Sequence, residues 1–394
     1  MPRDLARGVA GFFSSGEKHR TNLEAEVRHY FAANHAFHVS SGKAALALIL
    51  LALRDVAKKK KVVIPAYTCF SVPSAVVKAG LEIVPCDIDL RTFDYDYDSL
   101  AQAVTGDTLC ILGVHLFGIP ADLDKMREVC SAKGAFLVED VAQAMGGRKH
   151  GKMLGTIGDV GFYSLGRGKN ITCGSAGIIV TNDELIGRAL AKRYADLKEI
   201  SLGEDIKNLI TLGLMSIFIR PWLYWLPVGM PFLQLGQTFF HSDFPIRKLS
   251  ARRAALLRSW KDRLTESNQL RAENAAELYK RLSRKDNGER YIPYLRFPLL
   301  VNDRKTRDLL YSYSQEKGLG FSLMYPAPVN EIPDLRSSFS GQLFPAAKRV
   351  ADTLLTLPTH HLLSEKDKAN IRRLLDSALS SSAQPAASSV SLPI

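Results

Sequence analysis

Asp140 closes the hydrophobic run Phe136-Leu137-Val138-Glu139-Asp140, and Gln143 follows in the next turn of sequence. Downstream, Gly161-Phe162-Tyr163-Ser164 leads into Leu165-Gly166-Arg167-Gly168-Lys169-Asn170, which sets a lysine in a glycine-bracketed turn. A lysine amine condenses with a carbonyl, and a carboxylate keeps a pyridine nitrogen protonated so that the ring takes up electrons. Those residue types in that order suit a pyridoxal phosphate cofactor. Taken singly, Lys169 reads as a surface lysine and Asp140 as a strand-end cap. Gly166, Gly168 and Gly174 allow close backbone approach, and Ser164 lies just upstream, so the set is more specific than its members. His38-Val39-Ser40-Ser41-Gly42-Lys43-Ala44-Ala45-Leu46 reads as a strand end turning into an Ala/Leu helix, with Ser40 or Ser41 as its cap. Free amides at such a start bind phosphate, although an ordinary cap is the commoner explanation of that pattern alone.

These residues need a frame. Residues 62 to 182 alternate short apolar runs with amphipathic stretches. Strands are expected at 62–65, 81–86, 109–116, 136–138, 160–164 and 177–180. Helices are expected at 73–79, closed by Gly80, and at 122–133, closed by Gly134. Such alternation predicts an α/β layer with a mostly parallel sheet, and ligands on such sheets sit beyond the carboxyl ends of strands, where Asp140 falls. Residues 184–200 read as a charged helix and 250–284 as one long helix leading to a C-terminal domain. Gly146 to Lys152 approximates a phosphate-binding GxxxxGK loop, but Met153 follows where Ser or Thr would hold magnesium, so a glycine-rich hairpin is the better reading. His115 reads as structural, since no metal-ligand partner lies at suitable spacing, and no metal site is expected.

With 394 residues, 46% of them hydrophobic, the chain can build a full core and two domains. The five scattered cysteines form no CxxC pair, which argues against a disulfide framework or zinc site and for a reducing cytosol. Met1 to Arg20 shows no long apolar core, so no signal peptide is expected. A net charge of +12 favours phosphorylated small ligands or an anionic membrane. Nucleic acid is not expected as a partner, because no basic stripe with interleaved aromatics appears.

The ordered motifs resemble the DegT/StrS-type sugar aminotransferases, pyridoxal phosphate enzymes of fold type I. The matching blocks are Ser41-Gly42 with its helix, Val63-Ile64-Pro65-Ala66-Tyr67-Thr68, Cys86-Asp87-Ile88-Asp89, and His115 to Asp124. They continue with Glu139-Asp140-Val141-Ala142-Gln143-Ala144, Gly155-Thr156-Ile157-Gly158-Asp159 and Gly168-Lys169-Asn170. Weaker blocks are Tyr325-Pro326-Ala327-Pro328 and Leu357-Pro358-Thr359-His360. The resemblance implies a large cofactor-binding domain (1–248) and a small C-terminal α+β domain (249–376), and the Ser/Ala/Pro-rich composition of 377–394 predicts a disordered tail. The resemblance implies Lys169 as Schiff-base lysine and proton shuttle, Asp140 on the pyridinium nitrogen and Gln143 at the ring hydroxyl side. Ser164, Ser41 and Gly42 would hold the phosphate. It also implies glutamate as amino donor, a nucleotide-linked keto sugar as acceptor, and a homodimer in the cytoplasm.

Departures from the family pattern fall at Lys43, in place of a threonine, and at Cys69, in place of the aromatic that stacks on the ring. Tyr67 or Phe70 would then stack, and Arg167 would add a phosphate contact. A partner-subunit asparagine aligns near Ile246, with Arg247 or Lys248 as replacements. Between Leu209 and Phe240 the only charged residue is Arg220, and the stretch holds Trp222, Tyr224 and Trp225. This insert is foreign to the family and too interrupted to span a bilayer. It reads as a buried or dimer-contact segment, as a contact with anionic membrane, or as a lid over an apolar substrate.

Overall fold

The structure, a computed structural model, describes residues 17–218, 238–283, 292–381 and 390–391. The first half runs α1 (Lys18–Phe31), β1 (His35–Val39), α2 (Gly42–Val56), β2 (Lys61–Pro65), α3 (Ser71–Lys78), β3 (Glu82–Cys86), α4 (Tyr97–Ala103), β4 (Thr108–Val114), α5 (Leu123–Lys133) and β5 (Phe136–Asp140). A short hairpin, β6 (Arg148–Lys149) and β7 (Lys152–Met153), stands where the glycine-rich hairpin was expected. Then come β8 (Val160–Ser164), β9 (Gly177–Thr181), α6 (Glu184–Ala195) and α7 (Leu202–Phe218). The C-terminal part holds α8 (Ala251–Ala255), α9 (Trp260–Ser283), β10 (Arg296–Val301), α10 (Arg304–Lys317), α11 (Pro345–Thr353), β11 (Leu354–Pro358), α12 (Glu365–Ser381) and β12 (Val390–Ser391).

The large sheet has strand order β1-β9-β8-β5-β4-β2-β3. Its pairs from β8 to β3 are parallel, and only β9 runs against its two neighbours. Alternate residues of each strand go to opposite faces. Val62 and Ile64 join the core beneath α2 and α3, whereas Val63 joins the one beneath α4 and α5. Both faces are covered, so the strands read as unbroken apolar runs. Helix α2 is apolar around most of its circumference because it is buried on most sides. The small sheet, β11-β10-β12, is antiparallel. A third core joins the two parts, packing Tyr67 and Phe117 with Phe297, Tyr325 and Leu355.

Two expectations need correction. The single helix over 250–284 is broken between α8 and α9, where Ser259 takes φ 56. The break turns Trp260 inward: its ring lies edge-on to Tyr30 at 4.9 Å, and its Nε1 donates to Glu26 Oε2 at 3.0 Å. The tail is also more ordered than its Ser/Ala composition suggested. Helix α12 runs on to Ser381 because Ile371, Leu374 and Leu375 bury its apolar face, and Val390–Ser391 pair with β10. The part of the insert at 219–237, with Trp222, Tyr224 and Trp225, lies outside the described residues, as do residues 1–16.

Behind the sheet edge lies a fully buried carboxylate. Glu139 accepts from the amides of Gly155 (2.8 Å), Ile157 (2.7 Å) and Gly158 (2.5 Å) and from His115 Nε2 (3.1 Å). His115 Nδ1 accepts from the Ala121 amide at 3.0 Å, which places the imidazole proton on Nε2. Burial pushes the Glu139 carboxyl up, but the His115 bond and the backbone amides outweigh it and hold it below the ordinary value of 4.5. Its stabilising contribution is therefore full above about pH 4.5 and lost as pH falls through the depressed value. Glu139→Gln would leave an amide nitrogen facing N–H donors. The expected cost is roughly 3 kcal/mol, read by urea denaturation at neutral pH, with the gap to wild type narrowing in acid. An equal stability at neutral pH would show the cluster to be dispensable.

Candidate active site

Strand register gathers the sequence candidates at one edge of the sheet. Val114 pairs with Asp140, Asp140 with Phe162, Ser164 with Gly177, and Gly177 with Val39. The carboxyl ends of β1, β4, β5 and β8 thus lie side by side, and the loops that leave them carry Ser41, His115, Gln143 and Lys169.

Ser41 is the residue that caps α2: its Oγ accepts from the Ala44 amide at 3.1 Å and its carbonyl from the Ala45 amide at 2.9 Å. The amides of Gly42 and Lys43 remain at the helix start, where no preceding turn can accept from them. A Cβ on Gly42 would lie 2.8 Å from Ser164 Cβ, and a Cβ on Gly177 would lie 2.3 Å from the Ser41 carbonyl. The helix start therefore abuts Ser164 only because both positions are glycine. Lys43 is half-buried, with its ammonium 4.4 Å from the centre of the Phe244 ring. Burial pulls its amine below the ordinary value, and the facing Cys69 thiol opposes that shift. A cation at a helix N-terminus opposes the helix dipole, so an anion bound between Lys43 and the Gly42 amide relieves both.

Asp140 is buried, and its Oδ1 accepts from the Ala142 amide at 2.9 Å. Burial raises its carboxyl above the ordinary value, and the Ala142 bond, the Lys169 charge and His115 only partly offset this. Lys169, half-buried in the turn closed by its amide on the Gly166 carbonyl, is close enough to act on Asp140 through its charge. Gln143 is held at both ends: its Oε1 accepts from the Phe117 amide at 3.0 Å, and its Nε2 donates to Tyr325 Oη at 2.7 Å. Phe117 (φ 60) and Met324 (φ 56) are left-handed non-glycine residues on either side of those two bonds. Such strain collects where a side chain must be aimed.

The remaining candidates part company. Tyr67 is buried in the core between the two parts of the chain, its hydroxyl 3.4 Å from the Tyr325 carbonyl. Phe70 belongs to the core around α2. Cys69 between them is half-buried, with Sγ 3.6 Å from Thr238 Oγ1. Arg167 is exposed and makes no hydrogen bond or ion pair among the described residues. Arg247 is bonded to Glu204, and Lys248 donates to the Ala195 carbonyl at 2.8 Å, so both are occupied within their own chain.

Sequence reasoning missed three contributors. Tyr325 was visible only as part of a motif, and its link to Gln143 spans 182 positions of chain. The Thr68 hydroxyl is buried and has no hydrogen-bond partner among the described residues, which leaves it free to bond a ligand. Asn170 Nδ2 donates to Asn268 Oδ1 at 2.8 Å, and Asn268 Nδ2 donates to the Met145 carbonyl at 2.8 Å, which ties the lysine turn to α9. A phosphorylated heteroaromatic ring fits these features: an anion cup at Ser41–Lys43 and Ser164, a buried acid at the far end whose hydrogen bond is to the Ala142 amide, and an amine near it.

Comparison with known proteins places these features in context. The model of the DegT/DnrJ/EryC1/StrS aminotransferase family matches residues 7–210 and 238–375, leaving out the interval that holds most of the apolar insert. GDP-perosamine synthase of Vibrio cholerae is 30% identical over 177 residues, 45% of this chain and 48% of that protein. The chain thus spans about half the length of this curated relative. The sugar aminotransferase CalS13 of Micromonospora echinospora superposes with a TM-score of 0.75 at 24% identity, covering 95% of this chain and 96% of that one. A putative sugar aminotransferase of Streptococcus pneumoniae in its PLP form gives 0.75 at 21% identity, covering 97% of each chain. These likenesses show the same fold.

Proposed function

Because the chain belongs to the DegT/DnrJ/EryC1/StrS aminotransferase family, we propose that it is a pyridoxal phosphate-dependent aminotransferase. It moves an amino group from glutamate onto a nucleotide-linked keto sugar for polysaccharide or glycoconjugate synthesis. The observation that carries this reading is the buried Asp140 carboxyl, bonded to the Ala142 amide at one sheet edge and near enough to the Lys169 amine to feel its charge. The perosamine synthase likeness supports a sugar acceptor. A homodimer with the site at its interface is part of the proposal.

The roles follow from placement. Ser41, the Gly42 and Lys43 amides, the Lys43 ammonium and Ser164 Oγ hold the phosphate. Asp140 would hold the protonated ring nitrogen, and a cation there would offset the cost of its burial. Gln143, fixed by Phe117 and Tyr325, presents its remaining Nε2 hydrogen. Lys169 Nζ would be the amine that condenses with the cofactor and, when free, the base that holds and moves the proton of the substrate carbon. When bound, the cofactor supplies the carbonyl that condenses with amines and the ring that takes up the electron pair. Tyr67 and Phe70 are enclosed in protein cores, so the ring-facing position falls to Cys69, and Arg167 is left for the substrate side rather than the cofactor.

A second reading, a lipid-linked acceptor at a membrane surface, is favoured by the exposed apolar face of α7. Among the described residues no helix is long and apolar enough to cross a membrane.

The test is the absorption spectrum of the cofactor-loaded protein during titration with glutamate. The visible absorption band of the lysine-linked cofactor is expected to fade as the amino form accumulates, and a keto sugar nucleotide is expected to restore it. A band indifferent to glutamate and to other amino acids would turn the reading toward a cofactor-binding protein without transamination.

A further inference from the structure

Helix α7 has two unlike faces. Inward, Asp205 accepts from Arg253 Nε at 3.1 Å, and Arg253 in turn donates to the Ser175 carbonyl at 3.1 Å. Asn208 Nδ2 donates to the Cys173 carbonyl at 2.9 Å, and Leu212 is buried. Outward, Leu202, Ile206, Ile210 and Leu214 recur every fourth residue, which sets them in one stripe. They are 51%, 44%, 58% and 51% exposed. Four large apolar side chains in line on one helix are not the scattered exposure normal to a surface.

The charge around this stripe says what covers it. On α7 itself Glu204 is paired with Arg247 and Asp205 with Arg253, which leaves Lys207 as its one charge without an ion pair among the described residues, and from Lys207 to Ser242 the chain carries no acidic residue. The whole chain carries +12. A second copy would bring the same positive charge onto the stripe, whereas an acidic lipid surface is both apolar and of opposite sign. The sequence that follows Phe218 continues as Ile-Arg-Pro-Trp-Leu-Tyr-Trp, a composition of the kind found at the headgroup level. We propose that the outer face of α7, through Leu202, Ile206, Ile210 and Leu214, is a docking surface for an anionic phospholipid membrane. The inference deepens the membrane reading above and does not depend on the amination chemistry. It also names a consequence: the inner face of α7 grips Cys173 and, through Arg253, Ser175, in the segment that follows Lys169.

The test is flotation of the cofactor-loaded full chain with vesicles of phosphatidylglycerol and phosphatidylcholine, and with phosphatidylcholine alone. Wild type is expected to float with the acidic vesicles, less so at high salt. The exposed pair Ile206→Asp with Ile210→Asp is expected to bind at least about tenfold more weakly, with an unchanged cofactor spectrum. Leu309→Asp, at an exposed apolar position on α10, is expected to bind as wild type does. Failure of wild type to float, or floating of the α7 pair as well as wild type, overturns the proposal. Equal binding to phosphatidylcholine alone overturns the requirement for acidic lipid. A pair that leaves vesicle binding intact but turns a dimer into a monomer in analytical ultracentrifugation assigns the stripe to a second copy instead. None of these outcomes bears on amination, which the glutamate titration reads separately.

Discussion

Lys169→Ala is expected to lower the transamination rate at least ~10³-fold while leaving the fold and the phosphate cup in place. The lysine lies in the turn between β8 and β9, half-buried, and no core packing depends on its side chain. In the roles proposed for it, its loss removes both the covalent anchor and the proton carrier at the site. The loaded variant should lack the lysine-linked absorption band and still retain cofactor through Ser41, Gly42, Lys43 and Ser164. A small primary amine added to the solution should restore part of the rate, which a merely structural defect would not allow. A variant within tenfold of wild type would remove Lys169 from the chemistry and with it the reading of the site.

Asp140→Asn is expected to cost about 10²–10³-fold in rate, and its stability signature is more telling. Burial raises the Asp140 carboxyl above its ordinary value, so the folded chain without cofactor binds the proton more readily than the unfolded chain does. Its penalty therefore appears as pH rises above the ordinary value of 3.8 and persists at neutrality. Asparagine has the same shape and keeps an acceptor for the Ala142 amide without the buried charge. The cofactor-free variant should melt at or above the wild-type temperature at pH 7, whereas the loaded variant should gain less from cofactor than wild type does. The crossing of those two effects separates a charge poised for a cationic ring from a simple strand-end cap. A cofactor-free variant clearly less stable than wild type, with an undiminished gain on loading, would return Asp140 to the role of a cap.

The two substitutions differ in what they ask of the fold. Lys169 is placed by local geometry: a turn opened by Gly166 and Gly168 and tied by Asn170 to Asn268. Asp140 is placed by the sheet, since its burial comes from β4 and β8 on either side. Damage to the lysine turn should therefore stay local, whereas damage behind the sheet, as at Glu139, spreads to His115 and to the 155–158 loop that Glu139 holds.

Much of the architecture was legible because its signals are local. Apolar runs bounded by turn residues marked β2, β3, β5, β8 and β9, and Asp122 with Gly134 at φ 61 bracketed α5 as their types imply. Register then made a site of residues that sequence order alone had only aligned. Local pattern failed where tertiary contact overrules it. Nothing in 250–284 announces a break, because the break exists to bury Trp260 against Tyr30 and Glu26. Nothing in the Ser/Ala tail announces the pairing of Val390–Ser391 with β10.

By itself the sequence determined the cofactor chemistry, since that depends on which residue types lie at strand ends and glycine turns. The tertiary structure alone decided where the candidate side chains lie. It moved Tyr67 and Phe70 into cores and left Cys69 at the edge. It recruited Tyr325 to Gln143 across 182 positions and turned one stripe of α7 outward. Those outcomes depend on which surfaces meet, and contacts between residues far apart in the chain leave no periodic trace along it.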